Sequence, residues 1–239
     1  MVSSTRAARP VEDVARAFRH LRSLGIRAAA GIAVEQIWFT KDFFGLRAPL
    51  TPPATPRTAK IPITMLPVDA ASFQGFADEL AVAIGPDYTQ LLLRENLRTS
   101  GIGELYVAVD DAGVPIYAQW LVRPRDQDAL HAHSPGRYAD FGDTEVLLEG
   151  AYTFTRFRRM GAMADGMAKL LRVAADEGMT AAYTYVEAHN IPSLRGCAEV
   201  GFVPEHVRAS IRRLGRRRGV MRQVTDSDRA RWELSLIHI

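Results

Sequence analysis

Four stretches of the chain hold residue types that could do chemistry at the spacing found. The first is Arg158-Arg159-Met160-Gly161-Ala162-Met163-Ala164, where a strand pattern runs into a helix pattern. A helix start leaves backbone N–H groups unpaired and carries the positive end of the dipole, so it can hold an anion. Arg158 and Arg159 add charge, and Gly161 lets a ligand approach the backbone. A pyrophosphate is the natural guest. The second is His131-Ala132-His133, with Asp126 and Asp128 just upstream. On a strand this spacing puts both rings on one side, as a metal site needs. In a polar loop without cysteine the metal reading is the weaker one, and no metal is expected. The third is Arg208, Arg212, Arg213, Arg216, Arg217, Arg218 and Arg222, with no acidic residue between them. Such a run could contact several phosphates of a nucleic acid or another anionic surface. The fourth is Cys197, which reads first as a small buried apolar residue and second as a reactive thiol.

These groups must be positioned by the elements around them. Val11, Val14, Ala15, Phe18, Leu21 and Leu24 recur at spacings of three and four, which predicts a helix over 10–24. A strand follows over 32–39. Residues 48–57 contain four prolines and read as an extended linker. From Ile61 strands and helices alternate: a strand over 61–66, helices over 69–84 and 88–98, and strands over 104–109 and 114–122. Asp110-Asp111-Ala112-Gly113 joins the last two as a hairpin turn. A polar loop over 123–143 is long enough to suggest a function. A strand over 145–154 leads into a helix over 161–177, which Gly178 can end. A strand over 181–186, a short helix over 192–200 and a strand over 202–214 complete the pattern. This order predicts a mixed α+β or α/β fold, a mixed sheet with helices on both faces.

Four parts result: a helix-strand extension with its linker (1–58), a main domain (59–215), a basic and polar tail (216–233), and residues 234–239. The last six residues read LSLIHI. A transposon adapter used in sequencing libraries, CTG TCT CTT ATA CAC ATC, encodes this peptide, so it is read as adapter sequence and carries no functional argument. The chain has 239 residues, 47% apolar and 24% charged, which suits one domain with an appendage. A single cysteine excludes an intrachain disulfide and fits a reducing, cytoplasmic setting. No uncharged apolar run is long enough to span a membrane. The net charge of +3 falls to −4 without the seven clustered arginines, so basicity is local. Apolar Ile211 and Leu214 interrupt that cluster, which reads better as the edge of a sheet than as a nucleic-acid surface.

The segment 149–202 resembles the GCN5-related N-acetyltransferase family. In that family a strand precedes R/Q-x-x-G-x-G/A, and a helix, a strand, an Asn, a short helix and Gly-Phe follow. Arg158 to Met163, Gly178, Asn190 and Gly201-Phe202 supply these features without a gap. A branch of the family also shows Tyr-Thr before the loop and N-x-x-S-x-R after the strand. Tyr152-Thr153 and Asn190-Ile191-Pro192-Ser193-Leu194-Arg195 match it. The resemblance implies a mostly antiparallel mixed sheet flanked by helices, and a site for acetyl-CoA as acyl donor. The backbone of Ala151, Tyr152 and Thr153 would pair with the pantetheine arm. Arg159, Met160, Gly161, Ala162, Met163 and Ala164 would hold the pyrophosphate. Asn190 and Ser193 would contact the arm beyond the parted strands.

The reaction so implied is acyl transfer to a primary amine by direct attack on the thioester. A base takes the amine proton and backbone amides stabilise the oxyanion. Glu149 is the first candidate base, because Gly150 beside it could form a bulge that turns it into the cleft. Glu145 and Glu187 stand in reserve. Where much of the family has a Tyr as acid, this chain has Cys197. The acceptor amine is not identified. Segments 69–100, 123–143 and 1–58 would shape its pocket, and the extension could also pair two copies into a dimer. Two further readings stay open at this point: a module that binds nucleic acid or an anionic surface, and a domain that binds CoA without catalysis.

Overall fold

A computed structural model describes residues 38–51, 58–83, 86–213 and 216–237. The predicted helix over 10–24 and most of the strand over 32–39 lie outside them. Eight strands form one sheet: β1 (Trp38–Pro49), β2 (Thr64–Val68), β3 (Glu104–Val109), β4 (Pro115–Val122), β5 (Glu145–Thr153), β6 (Ala181–Glu187), β7 (Val203–Arg213) and β8 (Arg216–Gln223). Their order is β2-β3-β4-β5-β6-β1-β7-β8. Only β5 and β6 run parallel; every other neighbouring pair is antiparallel. The mixed, mostly antiparallel sheet is therefore as expected.

Six helices cover the sheet: α1 (Gly75–Val82), α2 (Pro86–Ser100), α3 (Gln127–His133), α4 (Ala162–Asp176), α5 (Ile191–Glu199) and α6 (Asp226–Leu236). The central strand β4 reads as an almost unbroken buried run because both faces are covered. Alternation along β4 sends Tyr117 and Leu121 to the core under α4 to α6, and Ala118, Trp120 and Val122 to the core under α1 to α3. α4 lies close to the sheet because its inner residues are small. A Cβ at Gly166 would stand 2.5 Å from the Tyr117 ring. The helix ends where expected, at Gly178 (φ +84°), with Gly178 and Met179 N–H groups closing on Ala175 and Ala174 carbonyls.

Three segments differ from the sequence reading. The loop over 123–143 contains a 3-10 turn at Pro124–Asp126 and then α3, because the Asp126 carboxylate accepts from Arg123 N–H at 3.3 Å and closes a local cap. His131 and His133 therefore sit on a helix, where a spacing of two turns the rings to opposite sides. Among the described residues no group of three His, Cys, Asp or Glu could hold a metal. The strand expected over 202–214 continues into a hairpin with β8, followed by α6, whose Thr225–Asp228 capping box starts it. Leu234 and Ser235 belong to its last turn. Finally, β1 runs to Pro49, into the segment read as linker, and lies between β6 and β7. Residues 38–49 are thus an interior strand of the main sheet rather than part of an appendage. No described helix is long and apolar enough to cross a membrane.

Asp228 anchors α6. Its carboxylate accepts from Arg222 Nη2 at 3.0 Å, Thr225 N at 3.0 Å and Thr225 Oγ1 at 2.6 Å. The Arg222 hydrogen bond, then those from Thr225, hold the carboxyl well below the usual carboxylate range. A group depressed on folding stabilises above its unfolded pKa of about 4, and loses that contribution as pH falls through the folded value. Asp228→Asn should therefore lower the melting temperature at pH 7. The gap to the parent protein should narrow as pH drops below about 4, read by thermal unfolding across pH.

Candidate active site

β5 and β6 pair only from Glu145↔Ala181 to Leu147↔Tyr183, then part. The cause lies on the other edge of β5. Trp120 pairs with Glu149 and Ala118 with Tyr152, so Gly150 and Ala151 together face Gln119. This is the expected bulge, with Gly150 at φ +67°. A Cβ there would stand 2.8 Å from the Trp120 ring and 3.1 Å from Leu97. Beyond Leu147↔Tyr183 no further pair joins β5 to β6. Glu149 and Tyr185 stand two residues past the last pair on each side, on the face covered by α1 to α3.

The turn into α4 sits beside this opening. Arg159 (φ +64°) and Gly161 (φ +79°) are both left-handed, and Arg159 is the one non-glycine residue so placed among those described. Backbone strain of this kind is kept where a loop shape has a use. No side chain caps the helix start at Gly161. Met163 turns its side chain toward Gly196 of α5, whose missing Cβ leaves room 3.3 Å from the sulfur. The bulk at this position is thus packed between helices. Thr58–Lys60 runs alongside the turn: Lys60 N–H donates to Met160 O at 2.8 Å, and Ala59 N–H to the buried Asp165 at 3.1 Å. Arg158 makes a two-pronged ion pair with Asp87 of α2, both contacts at 3.0 Å, and this raises its pKa.

The other expected site residues fall as follows. Ala151 O accepts from Arg94 Nη2 at 2.8 Å, and Arg94 Nε reaches Gly150 O at 3.3 Å. A carbonyl assigned to the pantetheine arm is therefore held by an arginine, which the arm would have to displace. Thr153 O accepts from Arg158 Nε at 3.5 Å. The Tyr152 ring is buried and its hydroxyl donates to Glu79 at 3.1 Å. Asn190 Oδ1 caps α5 by accepting from Ser193 N at 3.3 Å. Cys197 is fully buried in the core, and burial pushes its thiol up to about 12. A free thiol near 8.5 is the stronger acid, so proton donation from Cys197 to a CoA thiolate runs uphill. Burial gives Cys197 a packing role.

Glu149 is nearly enclosed, with its side chain 13% exposed and Arg137 Nη2 at 3.4 Å. Its surroundings hold groups that, Arg208 of the arginine run aside, carried no sequence motif: Arg94 from α2, Arg137 and Tyr138 from the segment after α3, Tyr185 from β6, and His206 and Arg208 from β7. Tyr185 accepts from Ala139 N–H at 2.8 Å and bonds His206 Nε2 at 2.9 Å. Burial pushes the Tyr185 hydroxyl up to about 12 and holds His206 below its ordinary value, so the imidazole is neutral at pH 7. The only warning in the sequence was the length of the 123–143 segment. Of the reserve acids, Glu145 pairs with Arg47 at 3.0 Å and Glu187 with Lys41 at 3.2 Å. A surface depression of about 630 Å3 beside Arg98, Glu104 and Arg125 is lined by none of the site groups.

Two of the clustered arginines are turned to other uses: Arg208 is 5% exposed and turned into the molecule, and Arg222 is paired with Asp228 and lies 3.9 Å from Asp42. Arg218 is exposed.

No family model and no curated protein matches the chain. Solved structures do. A GCN5-related glucosamine N-acetyltransferase region of a fungal multi-domain beta-N-acetylglucosaminidase is 14% identical over 77% of this chain and 22% of its own, with a TM-score of 0.51. An acetyltransferase of the same family from Colwellia psychrerythraea is 14% identical over 76% of this chain and 59% of its own, with a TM-score of 0.47. One from Sphaerobacter thermophilus is 13% identical over 84% and 59%, with a TM-score of 0.48. The chain thus spans less than two thirds of each of these proteins. At such identities the likeness is one of fold: the chain has the fold seen in GCN5-related N-acetyltransferases.

Proposed function

We propose that the chain is an acyl-CoA-dependent N-acyltransferase, with acetyl-CoA as donor and a primary amine as acceptor. The observation that carries this is the parting of β5 and β6 at a glycine bulge, beside an uncapped helix start with two left-handed residues. An extended arm fits between the parted strands, and a diphosphate fits the free amides and positive charge of the turn. The amine would enter from the face of Glu149, His206 and the arginines. Glu149 would take its proton as the nitrogen attacks the thioester carbonyl, directly or through one water. His206 lines the same wall, with Nε2 2.9 Å from the Tyr185 hydroxyl and Nδ1 3.5 Å from Glu205. The leaving thiolate needs no protein acid, because a thiol near pKa 8.5 is a fair leaving group in water.

Calorimetric titration with acetyl-CoA should show micromolar binding. Gly161→Val, which forces a β-branched residue to φ +79°, should weaken it by about tenfold or more, with the far-ultraviolet spectrum unchanged. An absence of binding at millimolar acetyl-CoA overturns the reading. Glu149→Gln should keep donor affinity and lower thiol release in an amine screen by roughly a hundredfold. Equal turnover in that variant would transfer the base role to another group such as His206.

A further inference from the structure

Three guanidinium groups converge on the acceptor side of the opening, and one carboxylate faces them. Arg94, Arg137 and Arg208 all lie close enough to Glu149 to feel its charge, and Glu149 is the only carboxylate that acts on all three. The partners of Arg94 are neutral: the Gly150, Ala151 and Gln90 carbonyls and the Gln90 side-chain amide. Arg208 is the most enclosed. Its Nη1 donates to Arg137 O at 3.0 Å, its plane lies 4.0 Å from the Phe43 ring centre, and its Nε is buried without a hydrogen-bond partner. Only Arg137 has a charged partner, Glu149 itself. The cluster thus carries two positive charges more than it neutralises, with one buried donor unspent.

Such an excess is costly in a low-dielectric site unless an anion completes it. Arginine forks match the planar or tetrahedral oxygens of carboxylate and phosphate groups. Aromatic faces satisfy a guanidinium from above but leave its in-plane donors free. The diphosphate turn is not the source of this charge, since Arg158 and Arg159 lie there and not in the cluster. Resting on the acyltransferase reading above, we infer that the acceptor is an amine that also bears an anionic group, a carboxylate or a phosphonate or phosphate, held by Arg208, Arg137 and Arg94 while its nitrogen faces Glu149.

The test is binding, read without turnover. The full chain is titrated with β-alanine, with 2-aminoethylphosphonate and with their neutral ethyl esters, both with and without saturating CoA. At least one anion should bind, and its ester should bind about tenfold more weakly or worse. The two anions separate a carboxylate site from a phosphonate site. Arg208→Met should weaken the anion by about tenfold, with Arg208→Lys between it and the parent. Glu149→Gln removes the one opposing charge, so it should tighten the anion several-fold while it lowers turnover; this also serves if the Arg208 variants do not fold. A purely structural cluster would not produce that rise. Neither anion binding at about 10 mM, esters binding as well as anions, or no gain in Glu149→Gln would each overturn the inference. Because the anion is titrated without CoA as well, its failure is distinct from failure of acetyl-CoA to bind.

Discussion

The structure depends on one constraint: β5 and β6 must begin as partners and end apart. Three residue pairs hold them together. The bulge at Gly150 then turns β5 about its own axis, and only glycine fits over Trp120 at that backbone angle. Parting two strands exposes backbone groups that a sheet would pair, and each must find another partner. Here Arg94 takes the Gly150 and Ala151 carbonyls from the side of α2. On β5 the opening is therefore held by a side chain of the neighbouring helix.

The wall proposed for the acceptor depends on β1. Arg208 lies over Phe43, and the His206 ring occupies the space that a Cβ at Gly45 would fill. Gly45 also pairs with Tyr185 across β6, so one missing side chain permits the Tyr185–His206 contact. From the other side, Gly219 of β8 lies so close to Gly136 that a Cβ at Gly219 would run into the Gly136 carbonyl. That contact brings Arg137 and Tyr138 over the sheet, where Tyr138 packs edge-on against Tyr185. Three segments distant in sequence therefore supply one wall.

This explains what could be read from the chain alone. The turn at 158–164, the Gly178 stop and the Gly150 bulge are local: their signal is a residue type at a fixed offset from a strand or helix. The hairpin at Asp110–Gly113 was legible for the same reason, with Asp110 Oδ1 accepting from Ala112 and Val114 N–H groups. The acceptor wall has no such signature. Arg94 looks like any exposed helix arginine, and Arg208 was one of seven in a run that read as a solvated edge. Burial of Arg208 follows from sheet order, which places β1 beside β7, and strand order is a long-range property. The strand expected over 202–214 corresponds to β7, but its partner β8 lies in a tail read only as basic and polar. The two histidines had no fixed meaning in the sequence, because a spacing of two means one thing on a strand and the opposite on a helix.

The two halves of the site are joined by α2. Asp87 in its first turn holds Arg158 of the diphosphate turn, and Arg94, seven residues on, holds the carbonyls of the bulge. Two helical turns bring both side chains to the same face. Between them stands Tyr152, with a guanidinium 5.9 Å from its ring centre on behalf of each: Arg94 and Arg158. Glu79 of α1 fixes the Tyr152 hydroxyl at 3.1 Å and Thr155 Oγ1 at 2.9 Å, so both acceptor-side helices grip the strand-to-turn segment. Under the proposed reading, an anion at the turn would compete with Asp87 for Arg158, and an arm along β5 would compete with Arg94 for Ala151 O. Both competitions would act on one helix. Occupation of the proposed donor site would then bear on the position of Arg94, through contacts already made in the free protein.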